Sequence, residues 1–365
     1  MSTQKGKNQR EDAPRPDDGI QEDEIVRQRK DKLERLLSEE GYNPYLVERW
    51  ERTHPLSYVR ERYSHLAQDE VDESLLIVTA GRVMTLRKHG KAIFANLADE
   101  TDNLQLYFQF DVMGEEKYSF VKKWVDSGDW VGITGYPFRT QRGELTIRVL
   151  ECRLLCKALR PLPEKWHGLK DTEVRYRRRY MDLIANPDVR EVFRKRSRIL
   201  SSIRKTLEDH GTIEVETPIL SVLAGGANAR PFITHHNSLD LDMYLRIATE
   251  LPLKQCIVGG LERVYEIGRI FRNEGMDHRH NPEFTTLELY QAYTDYQGMM
   301  RLTEDLIAHC AHAVLGPNQT TYQGEAVSLA PPFRRLTMHE AVQEYTGADF
   351  STAVTDEDAR ALAAT

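Results

Sequence analysis

The stretch that decides the fold is "IFRNEGMDHRHNPEFTTLELYQAY", residues 270–293, which contains two β-strand patterns around a charged, polar loop. Strand side chains alternate between faces, so Phe284, Thr286, Glu288 and Tyr290 share one face of the second strand. The leucines on either side of Glu288 face the other way. The pattern therefore predicts a strand covered on both faces, with a carboxylate inside.

A buried carboxylate without a cation costs several kcal/mol by order of magnitude, so Glu288 needs a positive partner. One hypothesis is an internal ion pair with Arg272 on the partner strand; the other is a cationic ligand. Arg272 ends its own strand, where it could instead face a phosphate or carboxylate. Together with Phe284 and Tyr290, these charges suit an amino acid and a nucleotide.

Composition points to an ordinary globular protein of two or three domains. The chain has 365 residues, 40% hydrophobic and 29% charged, with a net charge of −7. The negative charge means that any nucleic-acid contact needs a local basic patch. The four cysteines include no CxxC pair, so free thiols are predicted and a metal–cysteine site is not. There is no secretory signal or membrane-spanning apolar run, and a cytoplasmic location is expected.

The first part of the chain divides into a tail, a helical extension and a β-rich domain. Residues 1–22 are polar and are predicted to be a disordered tail. Residues 23–71 form an N-terminal helical extension, with an amphipathic helix over 23–40 ended by Gly41. That helix carries Arg27, Arg29, Lys30 and Lys32, and either a solvated surface helix or a basic arm on RNA fits it.

Residues 72–156 predict a small β-barrel. Three strand patterns, a helical piece at 114–129 and two more strand patterns give the order of an OB-fold. Such barrels bind single-stranded nucleic acid by stacking bases on strand aromatics. A purely structural barrel is the alternative, and Arg87, Phe94 and Gln105 on or beside the central strands favour RNA binding.

Residues 157–186 are predicted to be a linker with an arginine cluster, Arg175 and residues 177–179, that either is solvated or follows a phosphate backbone. Residues 187–365 predict an α+β domain. Its helix over 187–210 is followed by a strand over 212–220, whose far end Pro218 marks as an edge or bend. Further helices are predicted over 298–315 and 336–347, and the chain ends in a helix-forming run.

Three segments resemble the class II aminoacyl-tRNA synthetases. "FRNEGMDHRHNPEFTTLELYQAY" resembles their motif 2, and "RSRILSSIRKTLEDHGTIEVETPIL", residues 196–220, resembles motif 1 with its proline. "GGANARPFITHHNSLDLDMYLRIATELPLK", residues 225–254, resembles the lysine-specific segment of the lysyl branch. The resemblance implies an OB-fold anticodon-binding domain before an antiparallel catalytic sheet, and a homodimer formed through motif 1.

The resemblance also implies substrates and residue roles. L-lysine, ATP with Mg²⁺ and tRNA(Lys) would be bound, and no membrane is involved. The implied lysine-binding residues are Gly226, Glu250, Arg272, Glu288 and Tyr290. The implied ATP-binding residues are Arg272, which is also the catalytic residue, with Glu274, Arg279, His280, Asn281 and Phe284. The implied anticodon-binding residues are Arg87, Phe94, Gln105 and Glu144.

The match departs from the family in two places. No Gly-rich motif 3 or Mg²⁺-binding carboxylates follow residue 293, so we expect the chain to be a C-terminally truncated fragment in which only motifs 1 and 2 are present. Pro252 stands where a residue with an N–H is expected, and it is tolerated if it opens a helix. Two alternatives remain: a tRNA-binding paralogue without catalysis, and an enzyme that attaches a lysine-like amino acid to a protein, against which the barrel argues.

Overall fold

The computed structural model describes residues 24–162, 169–277 and 279–364. The chain forms two compact units, Met1–Pro187 and Asp188–Thr365. The tail predicted for residues 1–22 lies outside the described residues. Within the described ranges, no helix is long and apolar enough to cross a membrane.

The first unit begins with helix α1, Glu24–Glu39, as the sequence predicts, and Gly41 follows it with a φ of 62° that favours glycine. A short 3₁₀ turn at Pro44–Leu46 and helix α2, Leu56–Arg62, complete the extension. The basic face predicted on α1 is only partly solvated. Arg29 is buried and donates to the carbonyl oxygens of Ser127, Ala158 and Arg160, so it anchors the helix to the rest of the unit.

A closed barrel follows, with the strand order β1-β2-β3-β5-β4. Its strands are β1 Ile77–His89, β2 Ala92–Ala98, β3 Asn103–Gln109, β4 Trp130–Arg139 and β5 Leu145–Cys156. Helices α3, Phe110–Met113, and α4, Glu115–Trp124, lie between β3 and β4. The predicted OB-fold order of three strands, a helix and two strands is confirmed.

Strict alternation along the strands builds the barrel core. On β3, Leu104, Leu106 and Phe108 are buried, whereas Gln105 and Tyr107 between them are only half-buried. Inward apolar and outward polar or aromatic side chains at period two are typical of a small barrel with a filled interior. The outward positions of β2 and β3 are therefore available for binding.

The range 157–186, predicted to be a linker, contains two helices, α5 Thr172–Arg177 and α6 Arg179–Ala185. Their arginines are largely committed to internal contacts. Arg175 and Arg179 both pair with the fully buried Asp182, at 2.9 and 2.5 Å. The hypothesis that this cluster follows a phosphate backbone therefore fails for these two residues, because a buried carboxylate needs their charge.

The second unit opens with helix α7, Pro187–Asp209. Its strands are β6 Ile213–Glu214, β7 Leu220–Ser221, β8 Ile233–His236, β9 Leu241–Leu245, β10 Arg263–Phe271, β11 Glu283–Gln291, β12 Gln319–Tyr322 and β13 Glu325–Ser328. Its other helices are α8 Glu250–Val258, α9 Tyr296–Leu315, α10 Met338–Thr346 and α11 Asp356–Ala363. The single strand predicted over 212–220 is wrong: it is split into β6 and β7, and Pro218, which cannot donate to a ladder, lies between them.

Three small sheets form this unit, in the orders β11-β10-β6, β7-β9-β8 and β12-β13. The core lies on one face of the β10–β11 hairpin, where Tyr265 packs with Leu207 of α7 and with Leu302 and Leu306 of α9. Half-buried Leu287 and Leu289 of β11 pack against the same cluster. This arrangement leaves the opposite face of the hairpin for the site.

Candidate functional site

The two charged strands pair in a register that places two glutamates directly opposite each other. In the antiparallel β10–β11 ladder, Glu266 faces Glu288, Gly268 faces Thr286 and Ile270 faces Phe284. These residues share the face away from the helical core. The prediction that β11 is covered on both faces is wrong, because almost every β11 residue is only half-buried and the glutamate face is open.

Glu266 is neutralised within the protein. Only 3% of this residue is exposed, and its carboxylate lies 2.5 Å from the guanidinium of Arg246, which is also buried. The hydroxyl of Thr217 donates to the same carboxylate at 2.6 Å. Arg246 further donates to the backbone carbonyl oxygens of Arg269 and Thr217, at 2.8 and 3.0 Å. The pair therefore ties the floor of the site to the chain that leads from β6 to β7.

Gly268 makes this pair sterically possible. A Cβ at this position would lie 2.3 Å from Nη2 of Arg246 and 2.8 Å from Oε1 of Glu266. A glycine inside a strand commonly marks a close approach of another group, and here that group is the guanidinium. Arg246, Glu266 and Thr217 were missed in the sequence. The one available signal was Gly268, which interrupts an otherwise regular strand pattern.

Glu288, by contrast, has no cation within ion-pair distance among the described residues. Its Oε1 accepts a long hydrogen bond of 3.4 Å from the backbone N–H of Thr249. The proposed ion pair with Arg272 is absent from the structure. Arg272 instead donates to the carbonyl oxygen of Ile247, and its guanidinium lies over the Phe284 ring, 5.2 Å from the ring centroid.

A second carboxylate and a phenol lie beside this region. Glu250 is the first residue of α8, and its Oε1 lies 2.6 Å from Nζ of Lys254, one turn along the helix. The same ammonium lies 5.8 Å from the ring centroid of Tyr290. Burial, followed by the charges of Glu250 and Glu288, raises the pKa of the Tyr290 phenol. The three side chains therefore share one negative environment in which an ammonium group is stable.

Gly226 lies at the edge of the same cluster. Its φ is 85°, and an added Cβ would lie 3.1 Å from the Cβ atoms of Ala248 and Glu250. Glycine is the residue that adopts this backbone conformation without strain. Pro252 does not open α8 as expected but is its third residue, where the N–H has no partner within the helix, so the proline costs no hydrogen bond. The structure thus brings Gly226, Glu250, Glu288 and Tyr290 together.

The loop between β10 and β11 holds the remaining predicted ATP-binding residues. Glu274, Arg279, His280 and Asn281 are all exposed. The backbone N–H groups of Arg279 and His280 donate to Asp277, and these bonds with the His280 side chain lower the pKa of the Asp277 carboxyl. Apart from a long contact between Glu274 and the N–H of Arg230, the described contacts do not join these side chains to the pocket.

In the first unit, the outward face of the barrel carries stacked aromatic rings. Phe94 of β2 pairs with Tyr107 of β3, and their ring centroids are 4.8 Å apart at an angle of 21°. Tyr107 also contacts Phe138 of β4, at 5.8 Å, and the guanidinium of Arg148 lies over Phe138. The face therefore offers aromatic surfaces and a cation, the combination that binds single-stranded nucleic acid. Tyr107, Phe138 and Arg148 were missed in the sequence.

The other predicted anticodon-binding residues lie around these rings. Exposed Arg87 pairs with Phe94 across β1 and β2. Gln105 accepts a hydrogen bond from the hydroxyl of Thr146, at 3.1 Å, and the same hydroxyl contacts the carbonyl oxygen of Glu144. The structure thus brings Arg87, Phe94, Gln105 and Glu144 to one side of the barrel.

Metal-binding groups were sought across the described ranges. Within them, no three His, Cys, Asp or Glu side chains lie close enough together to hold a metal ion. The four cysteines are free thiols, as predicted.

Comparisons with known proteins identify both parts of the chain. Residues 77–155 match the OB-fold nucleic-acid-binding domain family, and residues 171–364 match the class II tRNA synthetases of the D, K and N group. Similar curated proteins include a lysine–tRNA ligase of Thermoanaerobacter pseudethanolicus, 53% identical over 93% of this chain and 66% of the relative. One of Clostridium botulinum is 52% identical over 94% of this chain, again covering 66% of the relative. The chain thus spans just under two thirds of these relatives.

Proposed function

Because the chain belongs to the class II aminoacyl-tRNA synthetases of the aspartate, lysine and asparagine group, we propose that it activates L-lysine with ATP and transfers it to tRNA(Lys). The sign of the pocket charge carries the choice among the three amino acids. Glu250 and Glu288 flank Tyr290, and the ammonium of Lys254 lies between Glu250 and the Tyr290 ring. An aspartate side chain would be repelled here, whereas a lysine ammonium would be attracted.

In this proposal each predicted residue has a chemical role. The backbone of Gly226 and the carboxylate of Glu250 bind the α-amino group, and Glu288 and Tyr290 bind the ε-ammonium. Phe284 stacks on adenine, with Arg272 beside it. Contacts from the β10–β11 loop to the nucleotide follow if ligand draws its exposed side chains inward: Glu274, Arg279, His280 and Asn281.

The reaction proposed is an in-line displacement. The lysine carboxylate forms a bond to the α-phosphorus of ATP, the bond to the bridging oxygen breaks, and pyrophosphate leaves with that electron pair. The nucleophile is already ionised, so no general base is required. Arg272 would stabilise the developing negative charge, and Arg272→Ala should lower the activation rate roughly 10²-fold. The terminal ribose hydroxyl of tRNA then attacks the lysyl adenylate and releases AMP.

Mg²⁺ is implied by the resemblance, but the described residues do not fit it, since they contain no cluster of three acidic or imidazole ligands. We therefore assign no step to a metal. A cytoplasmic location belongs to the proposal because tRNA charging takes place there.

A homodimer formed through α7 is also part of the proposal. Val192 and Phe193 in the first half of α7 are 64% and 49% exposed, whereas Leu207 near its end is fully buried. The apolar face predicted along this helix is therefore covered at one end only within the chain. Uncovered apolar side chains of this kind are typical of a subunit interface. Sedimentation of the wild type against Phe193→Glu tests this, and a monomeric wild type would contradict it.

The decisive test is direct amino-acid binding by calorimetric titration. L-lysine should bind, L-aspartate and L-asparagine should not, and Glu288→Gln should weaken lysine binding roughly 10- to 100-fold, the scale of losing a hydrogen bond to a charged group. Glu262→Gln, an exposed residue just before β10, is the matched control and should bind normally. Preference for aspartate, or an unaffected Glu288→Gln, would refute the assignment.

A second candidate function is tRNA binding through the barrel without catalysis. The observation that favours it is that the barrel and its aromatic face lie wholly within the first unit, separate from the amino-acid pocket. RNA binding by a chain that neither binds lysine nor exchanges pyrophosphate with ATP would select this function.

A further inference from the structure

A cavity of about 630 Å³ lies at the side of the barrel, and neither proposed site includes it. One wall is residues 84–88 of β1, another is Arg29 of α1, and Asp126 and Ser127 after α4 close it. Arg87 belongs both to this wall and to the aromatic face, since it pairs with Phe94 in the β1–β2 ladder. The cavity is therefore continuous with the surface proposed to bind bases.

Two of the charged groups at the cavity are committed to structural contacts. Arg29 donates to three backbone carbonyl oxygens, at 2.9, 2.9 and 3.1 Å, and so builds the wall. Asp126 pairs with Lys32 at 2.7 Å and with buried Lys157 at 2.6 Å. The single carboxylate of the lining is therefore already neutralised by two ammonium groups.

The remaining cations of the lining have no anionic partner. Lys88 donates to the backbone carbonyl oxygen of Lys122, at 2.6 Å, which carries no net charge. Neither Lys88 nor Arg87 makes an ion pair with another described residue. Partial burial, followed by the neighbouring charge of Lys32, lowers the pKa of Lys88, as expected in a positive environment. An anion bound here would relieve this repulsion.

We propose that this cavity binds the phosphodiester backbone of the RNA strand whose bases stack on Phe94 and Tyr107. The inference rests on the proposed RNA binding by the barrel and adds a backbone-binding groove to it. Five consecutive strand residues span about 13 Å, longer than one free phosphate needs. Contacts of Lys88 and Arg87 with phosphates position the strand, whereas stacking on the rings holds its bases.

The test is the salt dependence of binding to a labelled oligouridylate RNA, measured by fluorescence anisotropy. For single strands, each neutralised phosphate contributes about 0.7 to the slope of log K against log salt. Lys88→Ala should therefore lower the slope by about 0.7 and weaken binding about fivefold at ~0.1 M salt. Lys88→Arg should retain both the slope and the affinity, because it keeps the charge.

Two controls separate this contact from the rest of the interface. Lys117→Ala removes an exposed charge from α4, away from the cavity, and should leave the slope unchanged. Phe94→Ala should weaken binding at every salt concentration without changing the slope, because stacking releases no counterions. Tryptophan fluorescence checks that each variant is folded.

Three outcomes would overturn the proposal. If the wild type binds RNA and Lys88→Ala has the wild-type slope, the groove does not hold the backbone, although RNA binding by the barrel stands. If inorganic phosphate stabilises the wild type against heat but not Lys88→Ala, while the RNA slope is unaffected, the cavity is a free-anion site. If the wild type binds no RNA, the proposed barrel function fails together with the groove.

Discussion

Replacing Arg246 by methionine should destabilise the second unit more than any change on its surface. The substitution preserves length and apolar contacts but removes the guanidinium that neutralises Glu266, a residue only 3% exposed. The Glu266 carboxylate would keep its hydrogen bonds from Thr217 but lose its only ion-pair partner among the described residues. Backbone carbonyl oxygens of Thr217 and Arg269 would also lose a donor.

The expected magnitude follows from the burial of the pair. Breaking a buried ion pair by removing one partner typically costs about 3–5 kcal/mol. For a unit of this size, 1 kcal/mol shifts the melting temperature by about 2–4 °C. Arg246→Met should therefore lower the melting temperature of the second unit by roughly 6–20 °C.

The assay can distinguish the two units because all four tryptophans lie in the first. Far-UV circular dichroism follows both units, whereas tryptophan fluorescence follows the first. Arg246→Met should lower the melting transition of the second unit and leave the fluorescence transition where it is in the wild type.

A second substitution tests the physical cause. In Arg246→Met with Glu266→Gln the buried charge is gone, so most of the lost stability should return, and the two changes should be strongly non-additive. A loss below about 1 kcal/mol for Arg246→Met, or a double variant less stable than either single one, would refute the view that an unpaired buried carboxylate dominates.

Three smaller perturbations test separate parts of the molecule. Gly226→Ala forces a side chain onto a φ of 85° and against Glu250, so the affinity for L-lysine should fall about tenfold by calorimetric titration, and unchanged affinity would contradict the site. Arg29→Met removes hydrogen bonds to three backbone carbonyl oxygens and should destabilise the first unit by about 2–4 kcal/mol in urea, read by tryptophan fluorescence. Burial acts to raise the Asp99 pKa, but hydrogen bonds from three backbone N–H groups and a threonine hydroxyl hold it below its ordinary value. The stability that Asp99 contributes is thus present above about pH 4 and lost as the pH falls through the lowered value, and Asp99→Asn should flatten this acid dependence of the first unit.

Local pattern was enough to predict the barrel and the hairpin. Alternation at period two on β3 and β11 identified both, and the same-face grouping of Phe284, Thr286, Glu288 and Tyr290 is observed. The strand predicted over 212–220 failed because short apolar runs do not reveal where pairing stops, and Pro218 interrupts it.

The partners of the predicted charges were beyond the reach of the sequence. Glu288 was identified as needing a cation, but Arg246 pairs with its neighbour Glu266, which lies 20 residues away along the chain. Such long-range contacts depend on how β10 packs against the chain on either side of β7, and no periodicity records that packing. The position of Lys254 between Glu250 and Tyr290 likewise follows from the direction in which α8 leaves the sheet.

The close fit of Arg246, Glu266 and Gly268 bears on how this pocket could change over evolutionary time or by engineering. Enlarging Gly268 first would place an atom 2.3 Å from the guanidinium, and exchanging Arg246 first would leave a carboxylate stranded. These three positions therefore behave as a single heritable character that must change in one step. Glu250 and Glu288, which have no such bond to the framework, can vary one at a time. A shift in amino-acid preference should begin with them.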